Sequence, residues 1–183
     1  MSTMGLFRWL SRTLIIALIL NIIDTVICIL WPLLENNLHF YPSMTETFGV
    51  IITAPWLIST HKVLLFQLGR AIILCIVLAT LVAIVSEKKT EAAIYYEFMI
   101  LLLTLIVVTL EGINQAHMNP ASGSLIDFLL SYIFWKKGLF ILSAMLYHIP
   151  FSFLSLLIFV GMRKYREFIT ELKIIGIPHR KTR

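Results

Sequence analysis

Long runs of apolar residues alternate with short polar stretches along this chain of 183 residues. Four of the runs reach about 20 residues, which is the length of a helix that crosses the hydrocarbon core of a bilayer. They cover residues 12–34, 62–86, 92–111 and 138–162. The pattern predicts an all-α membrane protein with four transmembrane helices.

Two polar stretches, 35–61 and 112–137, connect the runs on the predicted outer side of the membrane. Each contains an apolar segment, 47–58 or 124–135, that is too short to span. We expect each segment to form a short helix that lies in the interface or enters the protein as a re-entrant piece.

The two outer stretches also resemble each other in sequence. They share two amides, a histidine and a proline at an offset of 78 residues: Asn36, Asn37, His39 and Pro42 in the first, and Asn114, Gln115, His117 and Pro120 in the second. A serine and an acidic residue at helix-capping spacing follow in each, namely Ser43 with Glu46 and Ser124 with Asp127. These features predict two parallel repeats, 12–86 and 90–163, within one transmembrane domain, 1–183. Coincidence combined with common capping chemistry is the alternative.

The distribution of basic residues predicts the orientation of the chain. If both termini lie on one side, that side holds most of the fifteen lysines and arginines, including seven within 163–183. The positive-inside rule therefore predicts cytoplasmic termini, in a bacterial inner membrane or an equivalent one. The basic cytoplasmic tail, 164–183, could lie on the anionic leaflet as an amphipathic helix, dock onto a partner or fray.

Composition excludes several classes of protein. Hydrophobic residues make up 59% of the chain, charged residues only 14%, and the mean hydropathy is +0.91. A soluble domain carries about 25% charged residues, so a soluble enzyme, a nucleic-acid-binding module and a disordered chain are all excluded. Cys28 and Cys75 stand in apolar runs without a redox or zinc-binding spacing.

Ionisable residues within the apolar runs are candidate functional residues, because placing them in hydrocarbon is costly unless they are paired or hydrated. Asp24, Arg70 and His148 all lie about 14–15 Å from the outer ends of their runs, and Gln67 lies one turn from Arg70. This predicted midplane cluster is either an ion pair that holds helices together or a site for a proton, an ion or a small substrate. Glu97 lies nearer the cytoplasmic end.

A metal site is a further hypothesis. His39 and His117 are placed on the outer side with Glu35 and Glu111 nearby, a ligand set that suits copper or zinc. The sequence contains no hydrolase, metalloprotease or phosphate-loop motif, so we predict neither catalytic residues nor a cofactor.

These observations lead us to expect a non-catalytic integral membrane subunit of a transport, secretion or energy-transducing complex. Its predicted contacts are the lipid bilayer and either a membrane-protein partner or further copies of itself, and no nucleic acid. One alternative is a self-assembling channel or small transporter that uses the midplane residues. The other is a redox or metal-binding membrane protein that uses the outer histidines.

Overall fold

The computed structural model describes residues 3–35, 42–53, 62–118 and 124–174. Within these ranges the chain is almost entirely helical. The helices are α1 (Thr3–Glu35), α2 (Met44–Thr53), α3 (Lys62–Val85), α4 (Lys89–Met118), α5 (Leu125–Ser131) and α6 (Gly138–Ile174). A single π-helical turn, Tyr132–Lys136, connects α5 to α6.

The helices α1, α3, α4 and α6 are long and apolar enough to cross a membrane. This confirms the predicted number of apolar helices and supports a multi-pass membrane protein. Many large apolar side chains remain exposed on their outer surfaces, as hydrocarbon but not water would allow. Examples are Leu14, Ile94, Leu142 and Leu157.

The four long helices pack as a bundle in which successive helices run in opposite directions. Arg12 of α1 lies 3.6 Å from Glu87, in the turn between α3 and α4. Phe159 of α6 packs against Ala83 and Ala92, which flank the same turn. Helix α1 therefore begins, and α6 ends, at the end of the bundle that contains the α3–α4 turn, which we call the turn end.

Local capping explains why α4 begins where it does. The side chain of Glu91 reaches back to the turn, where Oε2 accepts hydrogen bonds from the backbone N–H groups of Glu87 (2.9 Å) and Lys88 (3.3 Å). A carboxylate in the first turn also suits the positive end of the helix dipole.

The core is built from helical stripes of small and branched side chains. On α3 the buried positions recur at spacings of three and four residues. The apolar ones are Ala71, Leu74, Cys75, Leu78, Ala79, Val82 and Ala83. Most of this stripe packs with buried residues of α1, α2 and α4 in the largest hydrophobic cluster, among them Ile16, Leu20, Ile51, Tyr96 and Met99.

The short helix α2 packs inside the bundle. Half of its residues are buried: Thr47, Phe48, Val50, Ile51 and Ile52. They contact α1, α3 and α4. At its start the backbone N–H of Glu46 donates to Oγ of Ser43 (3.3 Å), so Ser43 occupies the predicted capping position.

The second short helix, α5, has different surroundings. None of its residues is buried, and Ser124 at its N-cap makes no side-chain capping bond, contrary to the sequence-based expectation. Its polar residues Asp127 and Ser131 are exposed, but so are Leu125 and Ile126. Because α2 and α5 differ in burial, the internal repeat stays a prediction.

Helix α4 extends beyond its apolar run. Helix α4 continues to Met118, so Asn114, Gln115 and His117 lie on its last turns and not in the predicted loop. Hydropathy marks where a run stops being apolar, whereas Gln, Ala and Met allow the helix to continue. Four further residues of the proposed loop repeat lie outside the described residues, namely Asn36, Asn37, His39 and Pro120. Pro42 precedes α2 and is buried.

At Gly112, α4 closely approaches α5 and the π-helical turn that follows it. A Cβ atom at this position would lie 3.0 Å from Cδ2 of Leu129 and 3.1 Å from Cδ1 of Tyr132. We expect Gly112→Ala to lower the free energy of unfolding by about 1–3 kcal/mol through overpacking. Thermal unfolding of the detergent-solubilised protein measures the effect.

Gly161→Ala is the matched control for that prediction, because a Cβ atom there meets nothing within 4 Å. Alanine in a helix interior is about 0.5–1 kcal/mol more favourable than glycine, so this variant should be neutral or stabilised. Equal effects of the two substitutions would contradict the close approach at Gly112.

Candidate functional site

A bidentate ion pair lies in the interior of the bundle. Nε and Nη2 of Arg70 donate to Oδ1 and Oδ2 of Asp24 at 2.5 and 2.6 Å, and neither side chain is exposed. Nη1 of Arg70 also donates to Oε1 of Gln67 (3.2 Å). Two parallel charge-assisted hydrogen bonds give such a pair both strength and a defined geometry.

Helix α2 is attached to this ion pair through Thr47. The hydroxyl of Thr47 donates to Oδ2 of Asp24 (2.7 Å). Nδ2 of Asn21 donates to the hydroxyl oxygen of Thr47 (3.1 Å) and lies 3.4 Å from the carbonyl oxygen of Pro42. We call these side chains the ion-pair network; its members are Asn21, Asp24, Thr47, Gln67 and Arg70. The network joins α1, α2 and α3.

His148 belongs to a separate buried group. Its Nε2 lies 3.2 Å from the carbonyl oxygen of Ile51, and its Nδ1 lies 3.1 Å from the hydroxyl of Tyr96 and 4.0 Å from Sγ of Cys75. Because a carbonyl oxygen only accepts, Nε2 carries a proton, and the Tyr96 hydroxyl can donate to Nδ1. We call this group the His148 pocket; its members are Ile51, Cys75, Tyr96 and His148.

The predicted midplane cluster is therefore divided. Asp24, Arg70 and Gln67 lie together, while His148 lies in its own pocket. Thr47 and Ile51 are one helical turn apart on α2, so this helix connects the two groups. Polar side chains of α1 and α6 thus bond directly to α2. Arg70 of α3 and Tyr96 of α4 are linked to it through Asp24 and His148.

Because Pro55 has no backbone N–H, the carbonyl of Ile51 is available to His148. In a continuing α-helix, the carbonyl of residue 51 would accept the backbone N–H of residue 55. Residue 55 is proline, which has no N–H. His148 supplies a donor instead, since its Nε2 lies 3.2 Å from the carbonyl oxygen of the buried Ile51.

Thr47, Tyr96 and Ile51 were not among the residues that the sequence singled out. Thr47 and Tyr96 are uncharged and occur inside largely apolar segments, where hydropathy does not distinguish them from core residues. The available signal was Pro55 four residues after Ile51, which leaves one carbonyl in need of a donor.

The structure describes only part of the predicted outer metal site, because His39 lies outside the described residues. Glu111 accepts a hydrogen bond from Nζ of Lys137 (2.8 Å), and this bond raises the pKa of Lys137. His117 is exposed, and Glu35 is the last residue of α1. Within the described ranges, no three His, Cys, Asp or Glu side chains lie close enough to hold a metal.

No family model matches this chain, and neither a curated protein nor a solved structure matches it. Its function therefore has to be inferred from its own residues and their geometry.

Proposed function

We propose that the protein is a non-catalytic integral membrane subunit of a larger assembly, such as a transport, secretion or energy-transducing complex. The observation that carries this proposal is the length of α6. It continues as one helix over 37 residues to Ile174. At a rise of about 1.5 Å per residue it measures about 55 Å, whereas the hydrocarbon core is about 30 Å thick.

The part of α6 that exceeds the apolar run is suited to docking. We call residues 163–174 the α6 extension. Tyr165 and Phe168 are 66% and 56% exposed, and they lie on the helix face opposite Arg163 and Arg166. Aromatic residues and arginine are enriched in protein interfaces and dominate their binding energy.

A groove beside the α6 extension adds to this surface. It has a volume of about 730 Å³ and lies between the end of α3 and α6. Arg163 and Arg166 line it together with the apolar side chains Ile84, Phe159 and Met162. A partner could therefore contact both faces of the extension.

The buried polar groups support a structural role within the subunit. In the ion-pair network, both carboxylate oxygens of Asp24 accept hydrogen bonds from Arg70. In the His148 pocket, both ring nitrogens have partners. Groups that already hold one another stabilise the position of α2 and do not depend on a substrate.

The proposal includes a topology. Both termini are cytoplasmic, the turn end faces the cytoplasm, α2 enters from the outer side as a re-entrant helix, and α5 lies at the outer interface. The basic residues at the turn end, including Lys88 and Lys89, support this orientation. A non-spanning helix inside a membrane protein is tolerated where it is buried in protein, as α2 is.

Cysteine labelling tests the topology. The native Cys28 and Cys75 are 3% and 1% exposed, so they should stay silent toward an impermeant thiol reagent in the folded protein. Both Gln115 and Lys88 are exposed on the protein surface, so the side of the membrane decides whether a cysteine there is labelled. In intact cells, Gln115→Cys should react and Lys88→Cys should not. Reaction at Lys88→Cys but not at Gln115→Cys would reverse the orientation.

Purification from cells that naturally produce the protein tests the function. We expect an N-terminally tagged chain to copurify with a different membrane protein at fixed stoichiometry, measured by native mass spectrometry. Tyr165→Ser combined with Phe168→Ser should reduce the recovered partner by about tenfold or more, because both side chains would be interface anchors. Phe134→Ser combined with Trp135→Ser is the matched control, since these exposed aromatics lie at the other end of the bundle.

Recovery of only monomers or only homo-oligomers would contradict this proposal. A homo-oligomer would instead favour the second candidate, a channel or small transporter. The enclosure of α2 beside a buried ion pair favours that candidate, because non-spanning or broken helices near charged side chains form substrate sites in many transporters. Ion flux into proteoliposomes that Asp24→Asn abolishes, while the variant stays folded, would support it.

A further inference from the structure

Glu97 of α4 carries a buried oxygen that is unsatisfied. Its Oε1 is inaccessible to solvent and has no hydrogen-bond partner among the described residues. Burying an acceptor without a donor is costly, and an unpaired carboxylate in hydrocarbon is more costly still. Asp24 meets the same cost by binding Arg70, whereas Glu97 forms no ion pair within the part of the chain that the structure describes.

This carboxyl group borders an open recess between α4 and α6. The recess has a volume of about 340 Å³. Its walls are Ala93, Ile94, Glu97, Phe98, Met145 and Ser152. Ile94 is 68% exposed, so the recess opens on the surface that the bundle presents to hydrocarbon. The hydroxyl of Ser152 interacts with the Glu97 carboxyl group and also donates to the carbonyl oxygen of Ile149 (2.9 Å), but Oε1 of Glu97 is still without a partner among the described residues.

The depth of Glu97 determines which partner group can reach it. Glu97 lies about 12 Å along α4 from Lys89, at the turn end. A lysine or arginine on a neighbouring helix can place its charged head at that depth while its apolar stem lies along the helix. A shallow apolar recess beside a small residue, Ala93, leaves room for such a side chain.

We infer that this recess receives a transmembrane helix of the partner subunit, and that a lysine or arginine on that helix binds Glu97. The inference rests on the proposed function, since it names the chemistry of the partner. A second copy of this chain fits less well. Its buried cation, Arg70, is held by Asp24, and its other described cations lie near the ends of the apolar runs.

Synthetic helices in phosphatidylcholine vesicles test the inference without knowledge of the partner. One leucine-rich transmembrane peptide carries a single arginine at the depth of Glu97, and its control carries leucine there. Association with the full-length protein is measured by energy transfer between fluorophores. We expect the arginine peptide to bind about three- to tenfold more tightly than the leucine peptide, as polar contacts between membrane helices allow.

Three variants identify the contact. Glu97→Leu should abolish the preference for arginine, and Ala93→Phe should abolish it by filling the recess while Glu97 is retained. Asp127→Asn is the matched control, because it removes an exposed acidic group elsewhere and should leave the preference unchanged. Glu97→Leu should also raise the thermal midpoint of the isolated chain, since it removes an unsatisfied buried acceptor.

Equal binding of the two peptides to the wild type, or an equal loss in Asp127→Asn, would overturn the inference. The natural complex separates this failure from failure of the proposed function. A complex that survives Glu97→Leu but is lost with the Tyr165 and Phe168 substitutions would refute the role of Glu97 and leave the proposed function intact. The absence of any copurifying protein would refute the proposed function itself.

Discussion

Replacing Asp24 by leucine is expected to lower the free energy of unfolding by about 3–5 kcal/mol, because the buried guanidinium of Arg70 then has no opposite charge. The converse variant, Arg70→Met, should have an effect of similar size, since it leaves the Asp24 carboxylate unpaired. Both side chains are fully buried, so water cannot replace the lost partner. Reversible unfolding in detergent micelles measures each change.

The double variant Asp24→Leu with Arg70→Met should recover most of that stability. Replacing a buried ion pair by apolar side chains of similar volume is often neutral or stabilising. Thr47 keeps an acceptor in this variant, because its hydroxyl also lies 3.2 Å from the carbonyl oxygen of Ser43. If the double variant is as unstable as the single variants, the ion pair is not the source of the effect.

The second large effect concerns His148. His148→Leu should lower the free energy of unfolding by about 2–4 kcal/mol, because the carbonyl of Ile51 and the hydroxyl of Tyr96 both lose their hydrogen bond to the imidazole. The lost bond to Ile51 should also release the end of α2. Amide hydrogen exchange in residues 44–53 should therefore be faster in the variant than in the wild type, and this increase should be larger than any increase in α3. The difference measures the local loosening of α2.

Adding Tyr96→Phe to His148→Leu separates the two stranded groups. The second substitution removes the unsatisfied hydroxyl, so the double variant should be more stable than His148→Leu alone. Full recovery is not expected, because Pro55 cannot supply an N–H to Ile51. Unchanged hydrogen exchange in α2 after His148→Leu would contradict its role as the attachment of α2 to α6.

Several features of the fold could be predicted because they follow from local properties. The length and composition of the apolar runs predicted the helices α1, α3, α4 and α6, which the structure confirms. Equal depth and opposite charge also suggested that Asp24 and Arg70 would meet. Their contact is seen in the bundle, whereas a functional role for it stays a prediction.

The ends of the helices were predicted less well. Hydropathy placed the limit of the third run at residue 111 and of the fourth at 162, but α4 and α6 continue to Met118 and Ile174. Hydropathy reports transfer into hydrocarbon, whereas helix continuation depends on backbone hydrogen bonds and side-chain propensity. The two properties need not change at the same residue.

The sequence by itself determined that the chain forms long apolar helices, since a run of about 20 apolar residues must satisfy its backbone internally in a membrane. It also determined that Ile51 would lack an intrahelical donor, because Pro55 has no N–H. Only the tertiary structure decided that α2 packs inside the bundle while α5 stays exposed. Both segments are short and apolar, and the burial of α2 depends on contacts with residues far away in the chain, namely Asp24 and His148. Such contacts leave no periodic pattern in the segment that they hold.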